Sequence, residues 1–162
     1  MRLSPVLAVL LGLSLTACVS LSRSAATAPL PPDLAGGARV GEIRLSTADD
    51  LALTPEFPDI FAQGVQARLD ACAVGGRALR LEARIDRLDK ANPVQTAVIG
   101  DANVLRGSAR LVDPATGRTV GEYQIGRTVV GGRVAVIQMA EAEEQMSDAF
   151  GQELCEQAFS DR

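Results

Sequence analysis

The chain has 162 residues, of which 47% are apolar and 22% are charged, and its formal net charge is −4. This length fits a single domain. The sequence contains no histidine, which excludes nucleophile pairs that need histidine and metal sites built on imidazole. The acidic balance provides no cationic field for a polyanion, so we expect no nucleic-acid binding.

Residues 1–17 predict a secretory signal peptide. Arg2 is followed by an almost wholly apolar run from Leu3 to Ala17, which is shorter than the roughly 20 residues of a membrane-spanning helix. The run leads into Leu15-Thr16-Ala17-Cys18, which resembles the bacterial lipobox, the tetrapeptide cut by lipoprotein signal peptidase once its cysteine carries diacylglycerol. The resemblance implies lipidation of Cys18, palmitate included, and anchoring to a membrane. The alternative is an ordinary secretory signal followed by an accidental cysteine.

Residues 18–38 predict the lipidated cysteine and a flexible tether, because the segment is small, polar and proline-rich without a period. At about 3 Å per residue such a tether reaches on the order of 50 Å. In the lipoproteins that the signal resembles, Asp directly after the lipidated cysteine favours inner-membrane retention, and Val19 stands there in this chain. The resemblance therefore implies an outer membrane lipoprotein that faces the periplasm.

Residues 39–162 predict one α+β domain with the element order β-α-β-β-β-α. Weak alternation predicts a strand over 39–47. Thr54-Pro55-Glu56 predicts a helix start, with Thr54 as the cap, and apolar residues three or four positions apart continue the helix to Cys72 before Gly75-Gly76. Strands predicted over 77–89, 103–113 and 118–130 form an antiparallel meander. Helical spacing without proline predicts a last helix over about 135–159. Together these elements predict two layers, with a sheet of about four strands covered on one face by two helices.

The alternation also predicts a register for the outer face of the sheet. Glu82 is expected opposite Arg110, and Asp86 opposite Arg106, so that charges alternate in sign and keep this face soluble. The alternative is that arginines of these strands form a face for anionic lipids.

Two cysteines remain besides Cys18. An even number of cysteines in an oxidising compartment is typical of disulfide bonding. Cys72 ends the first predicted helix and Cys155 lies near the end of the last, so we predict a disulfide between them. The alternative is a pair of buried free thiols.

The sequence offers no pattern for catalysis, for a cofactor or for a metal. The single lysine, Lys90, lies outside any glycine-rich phosphate loop, so we expect no nucleotide binding. The acidic residues of the last helix are interpreted as a solvated face rather than a calcium site: Glu141, Glu143, Glu144, Asp148, Glu153 and Glu156. We therefore predict a protein that is not an enzyme and that has no cofactor.

Two apolar stretches with little charge, over 91–102 and around Gly131-Gly132, are candidates for a contact with a protein partner. Apolar loops at one end of a sheet can form a contact surface for another protein. The alternative is that the residues of these two stretches extend the strands and enter the core. The candidate contact residues are Val94, Val98, Ile99, Val130 and Val134.

The lipobox, the proline-rich tether and the meander that carries Leu111–Gly117 before a last helix resemble the small, largely uncharacterised proteobacterial envelope lipoproteins. The element order is similar to that of auxiliary lipoproteins of envelope transport systems and of lipoprotein assembly factors. Our hypothesis is a lipid-anchored, noncatalytic periplasmic domain that binds a protein partner in an envelope assembly or transport complex. The alternative is a carrier or sensor of a small apolar ligand in a cleft between helix and sheet.

Overall fold

Six strands and three helices are formed by residues 19–90, 101–131 and 142–160, which are the residues described by the computed structural model. The strands are β1 Val19–Ser22, β2 Ala25–Ala28, β3 Ala38–Thr47, β4 Arg77–Asp89, β5 Asp101–Val112 and β6 Thr119–Gly131. The helices are α1 Pro32–Ala35, α2 Phe57–Cys72 and α3 Ala142–Ala158.

The strands form one sheet in the spatial order β1/β2, β6, β5, β4, β3. The predicted antiparallel meander is confirmed for β4, β5 and β6. The first predicted strand, β3, instead pairs parallel to β4. The reason is that α2 lies between these two strands as a crossover, which returns the chain to the end of the sheet where β3 began.

The core lies between one face of the sheet and the two long helices. α2 buries Phe57, Phe61, Val65 and Leu69, which repeat every four residues and so share one face of the helix. Phe61 packs edge-on against Phe150 of α3, with ring centroids 5.1 Å apart. The sheet contributes alternate residues of its strands to the same core.

A disulfide joins the two long helices, as predicted. Cys72 at the end of α2 and Cys155 in α3 have Cα atoms 5.9 Å apart. The bond closes a loop that contains most of the sheet.

Much of the segment predicted as a flexible tether has regular structure: residues 19–22 and 25–28 are strands of the sheet, and residues 32–35 form α1. β1 pairs with β6 from Ser22 opposite Arg127 to Val19 opposite Val130, and β2 continues along the same strand. Between them, the backbone N–H of Arg23 donates to the carbonyl of Gly126 at 2.8 Å. The edge of β6 would otherwise expose a row of unpaired backbone groups, and the pairing satisfies them. The sheet therefore has six strands instead of the four expected.

The register of the outer face differs from the prediction at one point. Glu82 lies opposite Arg110, as predicted, but a bulge between Ile85 and Arg87 places Arg87 opposite Arg106 in the position expected for Asp86. A bulge sets two residues of one strand against one residue of its partner, so every pair beyond it shifts by one. Two arginines therefore face each other across β4 and β5.

Candidate functional site

One end of the sheet brings together several chain segments that the sequence singled out. At this end β1 begins at Val19, β4 ends at Asp89, β5 begins at Asp101 and β6 ends at Gly131. We call it the Val19 end. Cys18 directly precedes Val19 in the chain.

The structure describes one of the candidate residues for lipidation and partner contact. Val130 lies in β6 opposite Val19. The others lie outside the described residues: Cys18, Val94, Val98, Ile99 and Val134.

A buried ion pair ties the N-terminal strand to the helical layer. The side chain of Glu153 in α3 is fully buried and contacts the guanidinium of Arg127 in β6. Its carboxylate also accepts a hydrogen bond from the hydroxyl of Ser22 in β1 at 2.5 Å. Burial acts to raise the pKa of Glu153, but hydrogen bonds from Ser22, Ser24 and Arg127 outweigh it and lower that pKa. We call Ser22, Arg127 and Glu153 the Glu153 cluster.

A second buried carboxylate holds the start of α3 to the residue that follows β4 and to the loop before α2. Glu143 accepts hydrogen bonds from the backbone N–H of Thr54 at 3.0 Å and from its hydroxyl at 2.5 Å. The ammonium group of Lys90, the only lysine in the chain, lies 2.5 Å from the same carboxylate. Burial acts to raise the pKa of Glu143, and the hydrogen bonds from Lys90 and Thr54 lower it overall.

The interpretation of the acidic residues of α3 as a solvated face is wrong for Glu143 and Glu153. Both lie on the buried side of the helix, where Glu143, Met146, Phe150 and Glu153 follow the three-to-four-residue period. That spacing was the sequence signal that Glu143 and Glu153 face the core. Arg127 gives a second signal, because it lies two residues after buried Ile125 in the strand and therefore on the same face. Both carboxylates are held by charged and hydroxyl partners, so they stabilise the packing of α3 on the rest of the fold.

A partly open cavity of about 350 Å³ lies at the other end of the sheet, between α1, β6 and the last turn of α3. The backbone N–H of Leu30 donates to the hydroxyl of Tyr123 on its wall at 2.7 Å. Small-molecule sites have volumes of about 300 to 1,000 Å³ and mostly apolar walls. The lining residues are Pro29, Leu30, Pro32, Ala35, Gly36, Tyr123, Gln157, Ala158 and Ser160.

Within the described ranges, no group of three or more Cys, Asp or Glu residues is placed to hold a metal ion. In the same part of the chain, no helix is long and apolar enough to cross a membrane.

Two solved structures share this fold at low sequence identity. The PelC dodecamer from Paraburkholderia phytofirmans is 13% identical, with a TM-score of 0.52, and the match covers 86% of this chain and 99% of that chain. A Xanthomonas campestris protein of the DUF330 family is 12% identical, with a TM-score of 0.51, over 80% of this chain and 91% of that chain. No family model and no curated protein sequence matches the chain. The chain therefore has the α+β fold of these two bacterial proteins.

Proposed function

We propose that the protein is a lipid-anchored, noncatalytic accessory protein of the bacterial envelope. It is held in the outer membrane by acyl chains on Cys18, faces the periplasm and binds a protein partner in an assembly or transport complex.

The observation that carries this proposal is the position of β1. This strand begins one residue after Cys18, pairs with β6 and is fastened by the Glu153 cluster. An anchor on Cys18 would hold the folded domain directly at the bilayer and would raise its effective concentration toward neighbouring envelope complexes. A surface of modest affinity is then sufficient for function.

The shared fold with PelC gives the proposal further support. PelC of Paraburkholderia phytofirmans is a dodecamer, so one protein of this fold associates with copies of itself. We propose that copies of this chain also associate with one another, in addition to binding a different protein.

The anchor is tested by replacing Cys18→Ser in the full chain. We expect the wild-type protein to sediment with outer membranes and the variant to appear in the soluble periplasm. Intact-mass analysis of the wild-type protein provides the direct measurement. A mature mass without acyl chains would overturn the anchoring proposal.

The partner contact is tested with Val98→Asp combined with Ile99→Asp. We expect this variant to remain folded and to lose its crosslinks in cells. Val74→Asp is the matched control, because Val74 is 78% exposed and lies between α2 and β4, away from the Val19 end. Unfolding of the double variant would place these residues in the core, and unchanged crosslinks would place the contact elsewhere.

The cavity supports a second candidate function, the binding of a small apolar ligand. Filling it with Ala35→Phe should abolish binding of a fluorescent fatty-acid analogue, whereas Ala71→Phe on the exposed end of α2 should not. Equal binding by both variants would exclude the cavity as the site.

A further inference from the structure

We propose that the outer face of the sheet near the Val19 end binds the phosphate groups of an anionic phospholipid bilayer. The contact is made by Arg23, Arg87 and Arg106, which we call the arginine row, with Leu21 beside it. This inference rests on the proposed function, since the bilayer is the one that holds Cys18.

The register places the arginine row on one line across β4, β5 and β6 to the link between β1 and β2. Arg106 in β5 lies opposite Arg87 in β4 on one side and opposite Gly126 in β6 on the other. Arg23 follows next, because its backbone N–H bonds to the carbonyl of Gly126. A Cβ on Gly126 would lie 3.3 Å from the Cβ of Arg23, which puts Arg23 on the same outer face. At about 4.8 Å between strands, the row spans roughly 15 Å.

The fold provides a carboxylate for only one of the three arginines in this row, Arg87. Arg87 pairs with Asp89 at 2.5 Å, and the neighbouring Arg84 pairs with Asp86 at 2.8 Å, so both nearby carboxylates are taken. No ion pair reaches Arg23 or Arg106 in the part of the chain that the structure describes. Arg106 lies directly opposite Arg87, and like charges in that position destabilise a sheet. Asp89 compensates Arg87 alone, so an added anion at Arg106 and Arg23 would stabilise this face. Guanidinium groups bind phosphate oxygens in pairs, so a phosphate is the anion that fits best.

The location of the row favours phosphates at a membrane surface. Val19, the residue after Cys18, lies about 13 Å along the strand from Arg23. Leu21 lies between them on the outer face, opposite Thr128, and it is 52% exposed. An exposed leucine beside arginines is suited to a bilayer interface. The leucine can insert at the boundary with the acyl chains while the arginines contact the phosphate headgroups.

The test uses the chain from residue 18 onward with Cys18→Ser, so that no acyl chain contributes to binding. The probe is vesicles of phosphatidylcholine alone, or of phosphatidylcholine with about one third phosphatidylglycerol. We expect sedimentation with the anionic vesicles only, weakening as salt shortens the Debye length below its value of about 10 Å at 0.1 M. Arg23→Ala combined with Arg106→Ala should weaken binding about 25-fold, because each arginine near an anionic surface contributes about five-fold.

Two control variants test whether the position of the charges and of the exposed leucine matters. Arg39→Ala combined with Arg118→Ala removes the same charge at the far end of the sheet and should bind like the parent protein. Leu21→Ser should weaken binding, and Val74→Ser, which changes the other exposed large apolar residue of the described chain, should not. Circular dichroism of each variant is the check that it is folded.

Three results would overturn the proposal: no binding to anionic vesicles, equal binding to both kinds of vesicle, or an equal loss in the control pair. Crosslinks from the arginine row to an acidic protein, without vesicle binding, would assign the row to that protein instead. An unacylated Cys18 with intact vesicle binding would overturn only the anchor. An acylated Cys18 without vesicle binding would overturn only the arginine row.

Discussion

Replacing Arg127→Ala should destabilise the fold strongly, because it leaves the carboxylate of Glu153 buried without its cation. The side chain of Glu153 is fully buried, and that of Arg127 is only 17% exposed. The hydroxyls of Ser22 and Ser24 remain as donors, but neutral hydrogen bonds do not replace a charged partner. The variant must either keep an unpaired buried charge or protonate Glu153.

The size of the effect follows from the less costly of these two outcomes. Protonating a carboxyl with an ordinary pKa of 4.5 costs about 3.4 kcal/mol at pH 7, at 1.36 kcal/mol per pH unit. Breaking a buried ion pair typically costs about 3 to 5 kcal/mol, which agrees. At pH 5 the cost of protonation falls to about 0.7 kcal/mol, so the defect should shrink. Arg127→Met combined with Glu153→Leu should be close to neutral, because no charge is then buried.

Urea unfolding of the wild type, Arg127→Met, Glu153→Leu and the variant with both changes forms a double-mutant cycle, and Arg127→Ala is measured beside them. Hydrogen exchange provides the local measurement, since β1 and β2 should exchange faster in Arg127→Ala. A loss below about 1 kcal/mol at pH 7 would show that water reaches the carboxylate. A loss of equal size at pH 5 and pH 7 would show that the buried charge is not its cause.

Three further predictions follow from other contacts. Removing the disulfide with Cys72→Ala and Cys155→Ala should lower the free energy of unfolding by about 4.5 kcal/mol, since its residues are 83 positions apart; a change below about 1 kcal/mol would contradict this. The two buried glutamates have lowered pKa values in the folded state, so their stabilisation is complete above pH 4.5 and is lost as pH falls further; a melting temperature that rises on acidification would be inconsistent with it. Gly107→Ala should cost about 2 to 3 kcal/mol, because its Cβ would lie 2.3 Å from the carbonyl oxygen of Arg84 at the bulge; Gly76→Ala, with no atom within 4 Å, is the control and should change urea unfolding little.

Elements with their own periodicity were predictable from the sequence. The strand over 77–89 agrees with β4 at both ends, and the predicted helix agrees with α2 at Cys72 but was expected to begin about two residues before Phe57. Both have apolar residues at one consistent spacing, so local sequence determines which face is buried. The Cys72–Cys155 disulfide followed because those helices pack side by side.

Elements that depend on a distant partner were not predictable. β1 and β2 consist mostly of serine, alanine and other small residues, and the edge of β6 is what makes them strands. The bulge before Arg87 has no signature in the alternation, since a single extra residue leaves the apolar pattern almost intact. The cavity depends on how α1 meets the last turn of α3, which no local pattern specifies.

Pairing of the N-terminal strands with β6 has a consequence for the order in which the molecule forms. Ser24 and Gly126 contact each other across 102 residues of chain. During synthesis β1 and β2 emerge long before β6 exists, and closing so large a loop is slow compared with forming β4 and β5. These strands therefore join the sheet last. Until they do, the backbone groups along this edge of β6 remain without strand partners.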